Sequence, residues 1–429
     1  MATVAGPDSI QAQEGASRGP LAALVRFILS TKLYWGLALL LLVGVLSSPV
    51  NSRGVNIFLS PGNLSNVLRQ VSNNGMVAVG MTLVILTGGI DLSVGSILAL
   101  GSVLCAMLLT MEGWTAASML SVPVFGLVLL TLVAWAVPAL AAARSAGGVA
   151  TAQGRRAGLI GGVLVGLLGV WWAASMVPGK FGVAGVLAVV PTVGLVLGAL
   201  SGAIIAKGRL QPFIVTLAMM VGILGIARLI TGQDQSVVPV YAGTNATQDV
   251  EQLRALVWGV LPIPGLFFLA ACATFAVLLR TTTFGRYVYA IGGNEQATRL
   301  SGVAVDRVKI AVYALSGMLA SLAGVLYTAQ YLQGKPDAGE GIELDAIAAV
   351  VIGGTSLMGG KGSLGGTLVG VLIFGFLSNI LQLNNIDSNT QLVLKGAIIL
   401  AAVLLQEGQA ARLLGPLRGW LRPGRDGSG

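Results

Sequence analysis

The sequence predicts an all-α protein, a polytopic integral membrane bundle of about 10–12 transmembrane helices with both termini cytoplasmic. Three observations carry this. Only 10% of the 429 residues are charged and 55% are hydrophobic, with a mean hydropathy of +0.87, whereas a soluble domain carries about 25% charged residues. Apolar stretches long enough to cross a ~30 Å hydrocarbon core recur along the chain. Glycine supplies 61 residues, far above the usual ~7%, which suits close helix approach in lipid.

Composition also excludes functions. With no histidine, imidazole metal ligation and a histidine proton relay are ruled out. Cys105 and Cys272 lie in separate apolar runs and form neither a disulfide framework nor a zinc pattern, so no metal site and no cofactor are expected in this chain. The net charge of +9 reads as loop topology, because cytoplasmic loops collect Lys and Arg, and no nucleic-acid partner is expected.

In chain order, the first twenty residues are polar and lack a signal-peptide h-region, and residues 1–26 read as a disordered cytoplasmic tail. Residues 27–406 form a single transmembrane domain, and 407–429 a basic cytoplasmic tail. Twelve candidate spans fall at 27–48, 75–90, 93–111, 118–142, 158–177, 185–206, 212–231, 257–279, 308–330, 345–357, 364–383 and 391–406. Two are short, 75–90 and 345–357, and each meets a glycine-rich break. Gly88, Gly89 and Gly95 mark the first break, Gly353, Gly354, Gly359 and Gly360 the second, and these are candidate hinges. The Ala/Val/Gly/Leu-rich region 115–190 reads as an extra helical hairpin packed against lipid or a partner subunit.

Parity then assigns the loops. Those at 143–157 (Arg144, Arg155, Arg156) and 280–307 (Arg280, Arg286, Arg299, Arg307) fall inside, as the positive-inside rule requires. The acid-rich loops 232–256 and 331–344 fall outside; Arg53, Arg69 and Lys180 run against the rule.

Asp91 lies in the apolar run from Gly75 to Met111, where a lipid-exposed acid costs roughly 2.5–3.5 kcal/mol. Splitting the run into two spans moves Asp91 to a helix end near the inner face, where it can cap the next helix beside Ser93. Its alternative role is contact with a solute or a gate. Ser93, Ser96, Thr216, Thr355 and Ser356 are further pathway candidates, although such groups most often bond neighbouring helices.

In the loop 280–307, Asn294 can cap a short helix, Glu295 and Gln296 suit its positive end, Arg299 its last turn, and Gly302 its stop. Such a helix is too short to stand alone, so the fold must hold it. With Gly292, Gly293 and Ala297 it makes a candidate docking knob, or else an ordinary interhelical loop. The glycine-rich stretch 353–366 is no P-loop: Lys361 is followed by Gly362 and the glycine spacing is wrong. No hydrolase constellation is present, and the chain reads as non-enzymatic.

Four blocks, 79–100 (VGMTLVILTGGIDLSVGSILAL), 202–220 (GAIIAKGRLQPFIVTLAMM), 285–330 and 344–370, occur in family order and are spread across most of the chain. They resemble the permease subunits of bacterial ABC importers for ribose, xylose and related sugars; the longer 115–190 region departs from the compact members. The resemblance implies that residues 294–302 are the coupling helix for a cytoplasmic ATPase. It further implies a second permease copy, a periplasmic or lipid-anchored sugar-binding protein, and ATP and Mg held on the ATPase, in the bacterial inner membrane. A pentose or hexose would then be the solute. The rival is an ion- or proton-coupled secondary transporter, disfavoured by the scarcity of intramembrane acids.

Overall fold

The computed structural model describes residues 32–110, 112, 181–232 and 236–406. The two tails at 1–26 and 407–429 lie outside the described residues, as do the expected spans 118–142 and 158–177 and all but the last residues of the 115–190 region.

The protein is a polytopic helical membrane bundle. Its described helices are α1 (Lys32–Ser47), α2 (Pro61–Leu86), α3 (Val94–Thr110), α4 (Val183–Gly208), α5 (Pro212–Thr231), α6 (Val250–Arg254) and α7 (Ile263–Thr281). They continue with α8 (Thr283–Gly293), α9 (Glu295–Leu300), α10 (Val305–Tyr331), α11 (Ile342–Ile352), α12 (Leu364–Leu383) and α13 (Ser388–Gln406). Helices α4, α5, α7, α10 and α12 are long and apolar enough to cross a membrane. Two small antiparallel pairs gather at one end: β1 (Val238–Pro239) with β4 (Gln333–Gly334), and β2 (Leu256–Val257) with β3 (Leu261–Pro262).

Helix α10 is the central post, packed by α4, α3 and α2. Small residues bring the backbones together: a methyl added at Gly198 of α4 would lie 2.1 Å from the Tyr313 carbonyl oxygen. Along this seam Gly194 meets Gly317 while Gly202 meets Ile310, so α4 and α10 are antiparallel. Helix α3 runs with α10, since Asp91 bonds Ser316 and Ser102 bonds Thr328. These directions follow the alternation expected from span parity.

Helix α2 departs from expectation. The span expected at 75–90 is the apolar half of a 26-residue helix that begins at Pro61, capped by the Ser60 side chain, which accepts from Asn63 N. Its polar half lies outside the expected span, and tertiary partners satisfy it. Asn63 and Asn379 exchange two side-chain hydrogen bonds at 3.0 and 2.8 Å, and Asn73 Nδ2 donates to Gln330 Oε1 at 2.9 Å. Arg69, an exception to the charge rule, donates to the Arg254 carbonyl at 2.8 Å. The other boundary corrections are smaller: the span at 257–279 begins at Ile263 because 256–262 form a hairpin, and 345–357 becomes Ile342–Ile352.

Candidate functional site

The chain breaks between α2 and α3, and the break sits at an unexpected depth. Asp91 accepts from Ser93 N at 3.0 Å and Ser93 Oγ at 2.6 Å, and its other oxygen accepts from Ser316 Oγ at 3.1 Å. Ser316 is the twelfth of the 27 residues of α10, about 16 Å from its start at 1.5 Å per residue. Asp91 therefore lies near the middle of α10, while its neighbour Ile90 meets Thr216, one turn into α5. Asp91 is fully buried, and three donors answer it.

A second element descends to meet this break. After β4, Gly334 packs on Ser102 and Ala106 of α3, while Gly339 packs on Gly95 seven residues lower. Helix α11 then starts beside Gly95, where an added methyl would lie 2.4 Å from Glu343 Oε2. At 11 residues α11 spans about 16 Å, a half-crossing. The N-terminal ends of two discontinuous helices thus face a common space, an arrangement that places solute sites near the midplane of transporters.

That space is a cavity of about 300 Å³, at the small end of the range for ligand pockets, roughly 300–1,000 Å³. Ser96 of α3, Arg228 of α5, and Asp337, Glu340 and Glu343 of the descending segment bring polar groups to it. Ser96 Oγ donates to the Met220 carbonyl at 2.7 Å, and Thr216 Oγ1 reaches the Ile90 carbonyl at 3.3 Å. Asp91, Ser93, Ser96 and Thr216 are therefore brought together around the break. Thr355 and Ser356 do not line the cavity: they sit in the 353–362 turn, which meets the break from the α2 side, Gly360 N donating to the Leu86 carbonyl. Arg228 and the three acids were not singled out as site residues, since the sequence places them in a span end and an outer loop.

The knob is built as follows. Asn294 Oδ1 accepts from Ala297 N at 2.9 Å, starting α9, and Gly302 has φ 82° just beyond its end. Glu295 accepts from Lys309 at 2.6 Å and Arg299 at 3.2 Å, and Arg299 also donates to Asp306 at 2.8 Å. Burial raises the Glu295 carboxyl, but its bonds to Lys309 and Arg299 and their charges outweigh this and hold it below its ordinary value. Asp306, then Glu295, hold the Arg299 guanidinium up. Beside them Gln296 and Gly293 are exposed. The segment before the knob is not loop but helix α8, capped by Thr282 accepting from Gly285 N.

Of the candidate hinge glycines, Gly88, Gly359 and Gly360 meet beside the knob at Gly292 and Gly293, whereas Gly95 lies apart, against Gly339 at the cavity. Gly88, Gly354, Gly359 and Gly360 have positive φ, and Gly353 packs against the backbone of Gly366. Gly89 lies against the Tyr313 hydroxyl, which any side chain there would have to displace.

Residues 63–403 match the family described as branched-chain amino acid transport system / permease component. The chain belongs to that permease family. The permease is 39% identical over 378 residues to the ribose import permease protein RbsC of Escherichia coli (strain K12), covering 86% of this chain and 91% of that one. It is 37% identical over 362 residues to RbsC of Bacillus subtilis (strain 168), covering 82% and 87%. To the xylose transport system permease protein XylH of Escherichia coli (strain K12) it is 32% identical over 381 residues, covering 83% and 87%. No solved structure matches the permease. It is a multi-pass inner-membrane transport subunit.

Proposed function

We propose that this permease carries a pentose or hexose across the inner membrane as the transmembrane subunit of an ABC importer, by alternating access driven by ATP hydrolysis on a partner. The observation that carries this is the meeting of α3 and α11 over the cavity bearing Ser96, Arg228, Asp337, Glu340 and Glu343, in a chain 39% identical to a ribose import permease. A sugar hydroxyl both donates and accepts hydrogen bonds; carboxylates supply acceptors here and a guanidinium supplies donors. Helix α9 faces the cytoplasm as the coupling helix, with both termini on that side. A binding protein delivers sugar to the opposite face, where the β1–β4 end lies. Two copies pair, and ATP and Mg stay on the ATPase.

The cavity's three acids favour one second reading, coupling to an ion gradient. Proteoliposome uptake separates the two. The importer requires the ATPase, its binding protein and internal ATP, and takes ribose or xylose but not leucine. Uptake driven by a sodium or proton gradient without ATP would overturn it, and uptake of leucine alone would overturn the sugar assignment.

A further inference from the structure

A second cavity, of about 580 Å³, lies between the α4–α5 turn and the start of α10. Its charge is one-sided: Lys207, Arg209, Arg299 and Arg307 line it against the single acid Asp306. Arg299 and Asp306 bind each other at 2.8 Å. Lys207, Arg209 and Arg307 form no ion pair among the described residues. Three exposed cations held together at one depth repel one another, and an anion between them relieves that.

Position indicates which anion. Lys207 closes the last turn of α4, and Arg209 follows in the left-handed conformation at φ 54°. The chain then enters α5 through Leu210, Phe213 and Ile214, all exposed. Directly after the cavity-lining Arg209 the chain thus presents an apolar helix face, at the end of the bundle where the crossing helices begin and stop. Water-soluble phosphates need only the first feature, whereas a phospholipid needs both, with its phosphate among the cations and its chains along α5. Basic pockets between transmembrane helices on the cytoplasmic side suit anionic headgroups.

We infer that Lys207, Arg209 and Arg307 form a binding site for one anionic phospholipid of the leaflet that surrounds the knob. Naming that leaflet as the cytoplasmic one rests on the orientation proposed above; the lipid site itself does not. Through Arg299, which lines the cavity and anchors α9 to Asp306, an occupied site would steady the knob from behind.

The test is native mass spectrometry of the full-length permease purified in detergent, titrated with phosphatidylglycerol or phosphatidylcholine. Wild type should retain phosphatidylglycerol selectively. The triple variant Lys207→Gln, Arg209→Asn, Arg307→Gln should lose that retention by about tenfold or more, because each cation near a membrane surface adds several-fold to anionic-lipid affinity. Asn tolerates the left-handed backbone at 209. Should the triple variant not purify as a monodisperse species, Lys207→Gln and Arg307→Gln singly should each lose about threefold. Equal loss in Arg280→Gln/Arg286→Gln, two exposed cations that do not line the cavity, would reduce the effect to general charge and overturn the site. Displacement by millimolar glycerol phosphate alone would reassign it to a soluble phosphate. Each readout is independent of sugar, ATPase and transport, so failure of the importer reading leaves it interpretable.

Discussion

Gly360 N donates to the Leu86 carbonyl across 3.0 Å, which ties the 353–362 turn to the last residue of α2. Gly292, two residues before the α9 cap, lies against the same carbonyl: an added methyl there would sit 1.9 Å from Leu86 O and 2.3 Å from Gly360 N. The knob, the end of α2 and the turn before α12 thus meet at one point. The contact there is backbone against backbone, with no side chain between.

Gly292→Ala therefore forces backbone apart, at a cost of about 1–3 kcal/mol for overpacking. The expected outcome is loss of sugar uptake with the protein still inserted. Gly293→Ala is the control, since nothing lies within 4 Å of its added methyl, and it should transport normally. Equal uptake by both variants would remove the node from the mechanism.

Asp91→Asn should retain most transport. Its Oδ1 still accepts from Ser93 N and Oγ, and the Ser316 hydroxyl can turn to accept from the new amide. Asp91→Ala loses all three bonds and should destabilise the protein by about 1–3 kcal/mol, measurable as a lowered thermal midpoint in detergent. An Asn variant as damaged as the Ala variant would show that the charge itself is needed.

Glu295→Ala and Arg299→Ala should each weaken coupling, seen as reduced sugar-dependent stimulation of the ATPase at unchanged expression. Unaltered uptake in both would sink the docking assignment of α9.

The Glu295 carboxyl is depressed by Lys309 and Arg299 despite its burial, which fixes the sign of a pH effect. Its contribution to holding α9 is complete above the unfolded carboxylate value and is lost as pH falls through the lower folded value. The group is 42% exposed, so solvent screening keeps the effect modest. Hydrogen exchange of α9, corrected for the intrinsic rate, should show opening on going below about pH 4. Glu295→Gln should show it already at neutral pH and no further change.

Arg228→Gln and Glu343→Gln should reduce uptake several-fold without changing ATPase association, because both side chains line the cavity and lie away from the knob. Measuring KM as well as rate distinguishes solute contact from misfolding.

Much of this was legible in residues. The run GGIDLSVGS marked the α2–α3 break, and Asn294 with Gly302 marked both ends of α9. Depth was not legible. Parity assumes that every apolar run crosses completely, whereas α3 begins beside the middle of α10 and α11 is a half-helix. The cavity was missed for the same reason: Asp337, Glu340 and Glu343 read as a hydrophilic outer loop, and only the descent from Gly334 to Gly339 along α3 carries them inward. The polar half of α2 was hidden differently, since Asn63 and Asn73 find their partners on α12 and α10, hundreds of residues away in sequence.

Those distant partners set a timetable for biogenesis. When α2 leaves the ribosome its first fourteen residues include Asn63, Arg69, Gln70, Asn73 and Asn74, a poor substrate for lipid insertion by itself. Gln330 and Asn379 are synthesised much later. At roughly 5–20 residues per second, the 316 residues separating Asn63 from Asn379 impose a delay of tens of seconds. Until then the nascent chain must keep this helix sheltered in the insertion machinery or in transient non-native contacts. A chain stopped before α12 would leave Asn63 without its partner, so truncated forms should be degraded as orphans, and the permease becomes stable only after its C-terminal helices arrive.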